Sequence, residues 1–169
     1  LQLPLAGEFH FVVGNPPYVR QELIPEELLS KYRARYHTLY DRADLYVPFF
    51  ERSLELLAPG GRLCFICTDR WTKNKYGGPL RKLVAGGFSL THYVDLLNAP
   101  AFTTDVMTYP AITVIERPQS ATTTTSKTRA AYQPSIDAES LTKLAGELMA
   151  PNVNGQSVLE LPDVMNGAE

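Results

Sequence analysis

Two adjacent prolines limit what the first apolar run of this chain can become. Phe9-His10-Phe11-Val12-Val13 is aromatic and β-branched, the composition of a strand. It runs into Gly14-Asn15-Pro16-Pro17-Tyr18. Pro16 and Pro17 have no backbone N–H and a fixed φ, so neither a sheet ladder nor a helix continues through them. Asn15, the residue before a proline, is pushed to an extended conformation. The sequence therefore requires a short strand that ends abruptly in a stiff loop.

Beyond that loop the chain alternates between the helical and the strand period. Pro25-Glu26-Glu27 opens a helix that runs to about Tyr36, with proline and acids in its first turn. Asp44 is placed to cap a second helix, whose Tyr46, Phe49, Phe50, Ser53, Leu54 and Leu57 form a broad apolar face ended by Pro59-Gly60-Gly61. A strand from Arg62 to Thr68 comes next, then a loop over 69–78, then a short helix from Pro79 to Ala85 stopped by Gly86-Gly87. Phe88–Leu96 and Ala111–Arg117 read as strands, and the irregular stretch between them makes an antiparallel pair plausible. Strands alternating with helices predict a mainly parallel sheet covered on both faces. After Arg117 the texture changes. Residues 118–135 are rich in threonine and serine and read as a linker, Ile136–Ala150 reads as an amphipathic helix, and Val158-Leu159-Glu160-Leu161 is a short apolar burst.

Composition narrows the class. The 169 residues are 44% hydrophobic and 20% charged, which suits one globular domain and excludes collagenous, coiled-coil and wholly disordered chains. No apolar run nears the roughly 18 residues that span a bilayer, and no secretory signal opens the chain, so no membrane partner is expected. Cys64 and Cys67 spell C-x-x-C, but on a strand residues i and i+3 face opposite ways, so the thiols diverge. Core cysteines in a reducing, cytoplasmic setting are the expectation. His10, His37 and His92 do not cluster, and no metal site is expected. Residues 1–117 hold thirteen Lys and Arg against twelve Asp and Glu, while 118–169 hold three against six. Between Arg70 and Val94 lie five basic residues and no acid: Arg70, Lys73, Lys75, Arg81 and Lys82. Such a stretch is either a solvated face or a contact for a polyanion.

The Asn-Pro-Pro-Tyr loop carries the chemistry. Ligands of open α/β sheets bind beyond the carboxyl ends of the strands, where this loop falls. A planar amine conjugated to a ring is a poor nucleophile because its lone pair is delocalised. Two acceptors set on its two hydrogens draw it toward tetrahedral geometry. The Asn15 side-chain oxygen and the Pro16 carbonyl offer those acceptors, and the prolines hold them rigid for the charge that develops. Tyr18 offers an aromatic face on which a base can stack, worth about 1–3 kcal/mol.

These residues resemble the N6-adenine DNA methyltransferases with the Asn-Pro-Pro-Tyr signature, as in type IIG restriction–modification and phage-defence systems. Val12 to Arg20 matches their catalytic motif. Asp44 to Glu51 and Leu54 to Leu63 match the next helix and strand of that family. Phe102, with Tyr109-Pro110-Ala111-Ile112 beyond it, is similar to the later motif whose aromatic packs on the target base. The resemblance covers residues 8–117. It implies an α/β fold, the second half of a Rossmann-like methyltransferase sheet, mostly parallel with an antiparallel strand pair at the end. It implies S-adenosylmethionine as cofactor and double-stranded DNA as partner. It also implies a catalytic set of Asn15, Pro16, Pro17 and Tyr18, with an extruded adenine stacked between Tyr18 and Phe102. Arg20, Arg70, Lys73 and Lys75 become the candidates for phosphate contact, which positions DNA without reading sequence.

The family's Gly-rich cofactor turn, which precedes Asn-Pro-Pro-Tyr, has no counterpart here, so among cofactor contacts only Asn15 is expected. The expected organisation is a partial catalytic domain over 1–117, a linker over 118–135, and over 136–169 the start of a further region of the target-recognition kind. On this reading the chain is a fragment that is inactive alone, binds cofactor weakly, lacks the other half of its domain, and self-associates through the bare edge of the Phe9 strand. The tetrapeptide also suits methylation of a release-factor glutamine amide or of RNA adenine, and a non-catalytic half-domain that binds DNA or a partner stays open.

Overall fold

The computed structural model describes residues 7–100, 109–120, 127–151 and 158–161. β1 (Phe9–Gly14) is followed by α1 (Glu26–Arg35) and α2 (Tyr46–Leu56), then β2 (Leu57–Thr68), the single-turn α3 (Arg70–Lys73), α4 (Gly78–Gly87), β3 (Ser89–Asp95), β4 (Pro110–Glu116), β5 (Thr128–Tyr132), α5 (Ala138–Met149) and β6 (Val158–Leu161). The six strands form one sheet in the order β1-β2-β4-β3-β5-β6. β1 runs parallel to β2, and β3 parallel to β5. β4 is antiparallel to both β2 and β3, and β6 is antiparallel to β5. Four strands thus point one way and two the other, in the mostly parallel α/β sheet expected. The antiparallel pair is β3 with β4, and β4 inserts between β2 and β3.

Register divides the side chains between two faces. Leu63, Phe65 and Cys67 lie beside Ile115, Thr113 and Ala111 on one face, under α2 and α4. Phe50, Leu54, Trp71, Leu80 and Val84 close that core from the helix side, all fully buried. Each large side chain removed from water contributes about 1.5–3 kcal/mol, so this face holds most of the stability. β3 changes face along its length. Its pairing with β4 slips between Leu90 and His92, so Leu90 joins the first core while Val94 points to the second. One extra residue in a strand reverses the side-chain alternation beyond it. Val94, Leu96, Ala131, Leu144 and Val158 make this second, smaller core beneath α5.

Several local expectations need correction. Asp44 does not cap α2: Leu45 is the capping residue, no side chain caps it, and only the Asp44 backbone carbonyl is used, by the Val47 N–H. α2 ends at Leu56, and Leu57–Gly61 belongs to β2 as an irregular entry. Gly60 has φ +74°, and a Cβ on Gly61 would lie 2.8 Å from the carbonyl oxygens of both Ala58 and Phe9. The Pro-Gly-Gly that reads as a helix stop is therefore the close approach of β2 to β1. The loop over 69–78 contains α3 and a 3₁₀ turn, Lys75–Gly77. The stretch that reads as a linker holds β5, which extends the same sheet beyond β3. α5 starts at Ala138, where the Asp137 carboxylate accepts the Ser140 N–H at 2.8 Å.

β1 is an outer strand, paired only with β2 among the described residues. Val12 faces the first core, whereas Phe11 and Val13 point to the other face and are 71% and 75% exposed.

Candidate active site

The loop that ends β1 is built as the prolines require. Gly14 sits opposite Phe65, whose ring would be 3.3 Å from a Cβ at that position, so the strand's last residue lies tight against β2. Pro16 is buried, while Asn15 and Pro17 face solvent. The loop is tied down just beyond Tyr18, where the Val19 carbonyl accepts the Leu45 N–H at 2.8 Å. Gln21, nearly buried, spans the next turn: its amide donates to the Asp41 carbonyl and its oxygen accepts from Arg33.

Tyr18 is held at both ends. Its hydroxyl meets the backbone N–H of Thr68, the last residue of β2, and burial, followed by the nearby Cys67, pushes its pKa up to about 12. Its ring packs on Tyr46, with centroids 6.4 Å apart at 60°. Behind it the aromatics continue into the core. Tyr46 meets Phe50 edge-on at 6.4 Å, and Phe50 contacts Phe65 at 5.0 Å and Trp71 at 5.4 Å. The Tyr46 hydroxyl lies 3.0 Å from that of Tyr76, and burial raises the pKa of both. Tyr46 is fully buried and serves packing. One face of Tyr18 is thus occupied by the core, and the residue keeps 37% of its surface exposed.

A second anchor, illegible in the sequence, lies one strand over. The buried Asp69 comes directly after β2, and its carboxylate accepts from the Tyr93 hydroxyl at 3.0 Å and the Lys73 ammonium at 2.5 Å. Its backbone N–H donates to the Tyr109 carbonyl, and its own carbonyl accepts from Thr72. One residue therefore joins the ends of β2, β3 and β4 with α3. The bond to Asp69 raises the pKa of Lys73, and burial with the Asp69 charge raises that of Tyr93. The only sequence signal is an acid directly after an apolar strand with a lysine four residues on.

The phosphate candidates separate. Arg20 and Arg70, both exposed, follow β1 and β2, and the charge of each lowers the pKa of Asp44 against the larger effect of its burial. Arg70 also lies 5.8 Å from the centre of the Tyr109 ring. Lys73 is paired with Asp69, and Lys75 is exposed in the 3₁₀ turn. Phe102 lies outside the described residues. Cys67 is buried and Cys64 half-buried, on opposite faces of β2, and burial raises both thiol pKa values, Cys67 to about 12. Among the described residues no group of three or more His, Cys, Asp or Glu could hold a metal, and no helix is long and apolar enough to cross a membrane.

Residues 4–102 match the model of the Eco57I restriction-modification methylase family. The chain belongs to this family. It is 61% identical over its whole length to the type II methyltransferase M.XhoI of Xanthomonas vasicola, and 58% identical to M.PaeR7I of Pseudomonas aeruginosa. It covers 31% and 29% of those two proteins, so it spans about a third of their length. Its fold is that of S-adenosylmethionine-dependent methyltransferases. A putative class I enzyme of that kind from Listeria monocytogenes superposes with a TM-score of 0.64 over 88% of this chain and 44% of that one, at 15% identity. For a member of this family, the described glycines carry a message. Gly60-Gly61 enters β2 and Gly86-Gly87 ends α4; neither follows a strand to open a helix as a nucleotide-cradling turn does.

Proposed function

We propose that this chain forms the acceptor side of the active site of an S-adenosylmethionine-dependent methyltransferase acting on the N6 amine of adenine in DNA, within a restriction–modification enzyme. The observation that carries the proposal is the rigid Asn15-Pro16-Pro17-Tyr18 loop at the carboxyl end of β1, backed by Tyr46 and tied to Thr68. S-adenosylmethionine, when bound, supplies an electrophilic methyl group on sulfur. Asn15 and Pro16 act on the amine: the Asn15 side-chain oxygen and the Pro16 carbonyl accept its two hydrogens and localise its lone pair. No strong base is required, because the amine becomes acidic as it is alkylated. Tyr18 stacks on the extruded base, whose removal from the duplex is needed to expose N6. Its anchored hydroxyl and packed ring mean that little side-chain freedom is lost on stacking.

Asn15 would face the methyl end of the cofactor, and among the described residues no Gly-rich strand-to-helix turn suits its nucleoside end. The exposed Phe11 and Val13 on the outer strand β1 suit a neighbouring part of the same domain, and in its absence a second copy of this chain. The test is transfer of a labelled methyl group by the full-length polypeptide to duplex DNA, to RNA and to protein, with hydrolysis and identification of the methylated species. N6-methyladenine from DNA supports the reading; label in glutamine or in RNA alone overturns it.

A further inference from the structure

Two prolines make the Asn15–Tyr18 loop stiff within itself, but a stiff loop can still swing as a unit about its ends. At its near end Gly14 lies tight against Phe65. At its far end three ties in a row join the chain leaving the loop to the chain entering α2, the two running antiparallel. The Tyr18 ring packs on Tyr46, the Val19 carbonyl accepts the Leu45 N–H at 2.8 Å, and the Gln21 amide donates to the Asp41 carbonyl. Gln21 is 7% exposed, and both ends of its amide are used: Nε2 on the Asp41 carbonyl and Oε1 on the Arg33 guanidinium at 2.9 Å. A carbonyl only accepts and a guanidinium only donates, so the place calls for one donor and one acceptor on a single planar group. Glutamine supplies both, whereas glutamate, of the same size, has no donor for Asp41.

The segment that Gln21 grips is itself held. Asp41 has φ +56°, in the left-handed region that is uncommon for residues other than glycine. The Ala43 N–H closes the turn on the Tyr40 carbonyl at 3.1 Å, and the buried Glu51 of α2 accepts the N–H groups of His37 and Thr38 at 3.1 and 2.8 Å. Through Asp41 the exit of the loop is therefore strapped to α2, and through Arg33 to α1.

Resting on the acceptor role given above to Asn15 and Pro16, we infer that Gln21 is a positioning residue for methyl transfer: its two hydrogen bonds fix where the loop stands against the core, and so where the two acceptor oxygens meet the amine. Reacting groups must lie about 3–3.5 Å apart, and a displacement of about 1 Å costs about a hundredfold in rate. Loss of the Asp41 bond loosens the exit of the loop while the ties at Tyr18 and Val19 remain. Substrate still stacks on Tyr18, but the acceptors no longer stand where the transfer step needs them.

The experiment uses the full-length polypeptide, labelled cofactor and DNA from a host without adenine methylation. Single-turnover rates are taken at a temperature where every variant is folded by circular dichroism. Gln21→Glu keeps the size of the side chain and its Arg33 partner but sets a carboxylate against the Asp41 carbonyl. It should lower the transfer rate about tenfold or more, with Kd for DNA and for cofactor each within about twofold of the parent. Arg33→Met removes only the other partner and should lower the rate less than about threefold. Should Gln21→Glu not fold, Gln21→Met, which loses both bonds without burying a charge, carries the same expectation. A Gln21 that serves stability alone lowers Tm and leaves the rate of the folded enzyme unchanged, and that result overturns the inference. So does a loss confined to DNA or cofactor affinity, or an Arg33→Met loss as large as that of Gln21→Glu. The functional reading fails separately: a parent that labels glutamine and not adenine overturns that reading, while slower transfer by Gln21→Glu to that amide would still support the positioning role.

Discussion

Replacing Gly77 with alanine should unfold the rim of the site from within. Gly77 closes the 3₁₀ turn Lys75–Gly77 with φ −76° and ψ −8°, a conformation open to any residue, so the obstacle is space alone. A Cβ there would stand 1.8 Å from the Trp71 carbonyl oxygen, 2.6 Å from its carbon and 2.8 Å from its Cα. Real contacts of this kind do not fall below 3.0 Å, so the two backbones must part by about 1.2 Å. The Trp71 carbonyl also accepts from Arg81 at 2.8 Å, and the fully buried Trp71 ring packs 5.4 Å from Phe50. Overpacking costs about 1–3 kcal/mol. A lost hydrogen bond to a charged group adds about 1.5–3 kcal/mol. Together these give about 2.5–6 kcal/mol, or a fall in Tm of roughly 5–20 °C for a chain of this size. Gly86→Ala is the internal control. Nothing lies within 4 Å of its Cβ, and alanine in place of glycine in α4 should gain about 0.5–1 kcal/mol. Thermal unfolding monitored by circular dichroism compares the two. A Gly77→Ala protein that melts within about 2 °C of the parent refutes the packing argument.

The exposed strand and the buried thiols have consequences of their own. The parent chain should sediment as an associated species and the Phe11→Lys/Val13→Glu variant as a monomer, since both side chains are largely exposed on β1; equal association of the two would place the contact elsewhere. With a thiol reagent at pH 8, Cys64 should react before Cys67, because both thiol pKa values are raised and the thiolate fraction at that pH is smaller for the group at about 12; faster labelling of Cys67 would contradict its burial.

Much of the fold is written in local pattern. The Phe9–Val13 run, the apolar face of α2 and the strand around Cys64 each carry a period that admits one reading, and the prolines at 16 and 17 end β1 where expected. The features that escape the sequence depend on contacts between distant residues. The insertion of β4 between β2 and β3 comes from sheet pairing, which no local period encodes. β5 is hidden because Thr128–Tyr132 is short and set among polar residues, and its strand character comes from pairing with β3. Gly60-Gly61 carries the same letters as a helix stop but serves the approach of β1. In the site, Asn15 to Tyr18 are legible because rigid acceptors and an aromatic stand together in four residues. Asp69 with Tyr93 is not, since its partners come from distant parts of the chain, and Asp44 reads as a cap although the helix takes only its backbone carbonyl.

The measurement that bears most directly on the function is N6-methyladenine in the genomic DNA of cells that express the full-length polypeptide, in a host with no adenine methylation of its own, with and without Asn15→Ala. The account predicts a methyl mark with the parent sequence and its loss with Asn15→Ala at equal protein level. A mark that survives Asn15→Ala would contradict the role given to the loop, and no mark in either case, from a protein that binds cofactor, would contradict DNA adenine as its substrate.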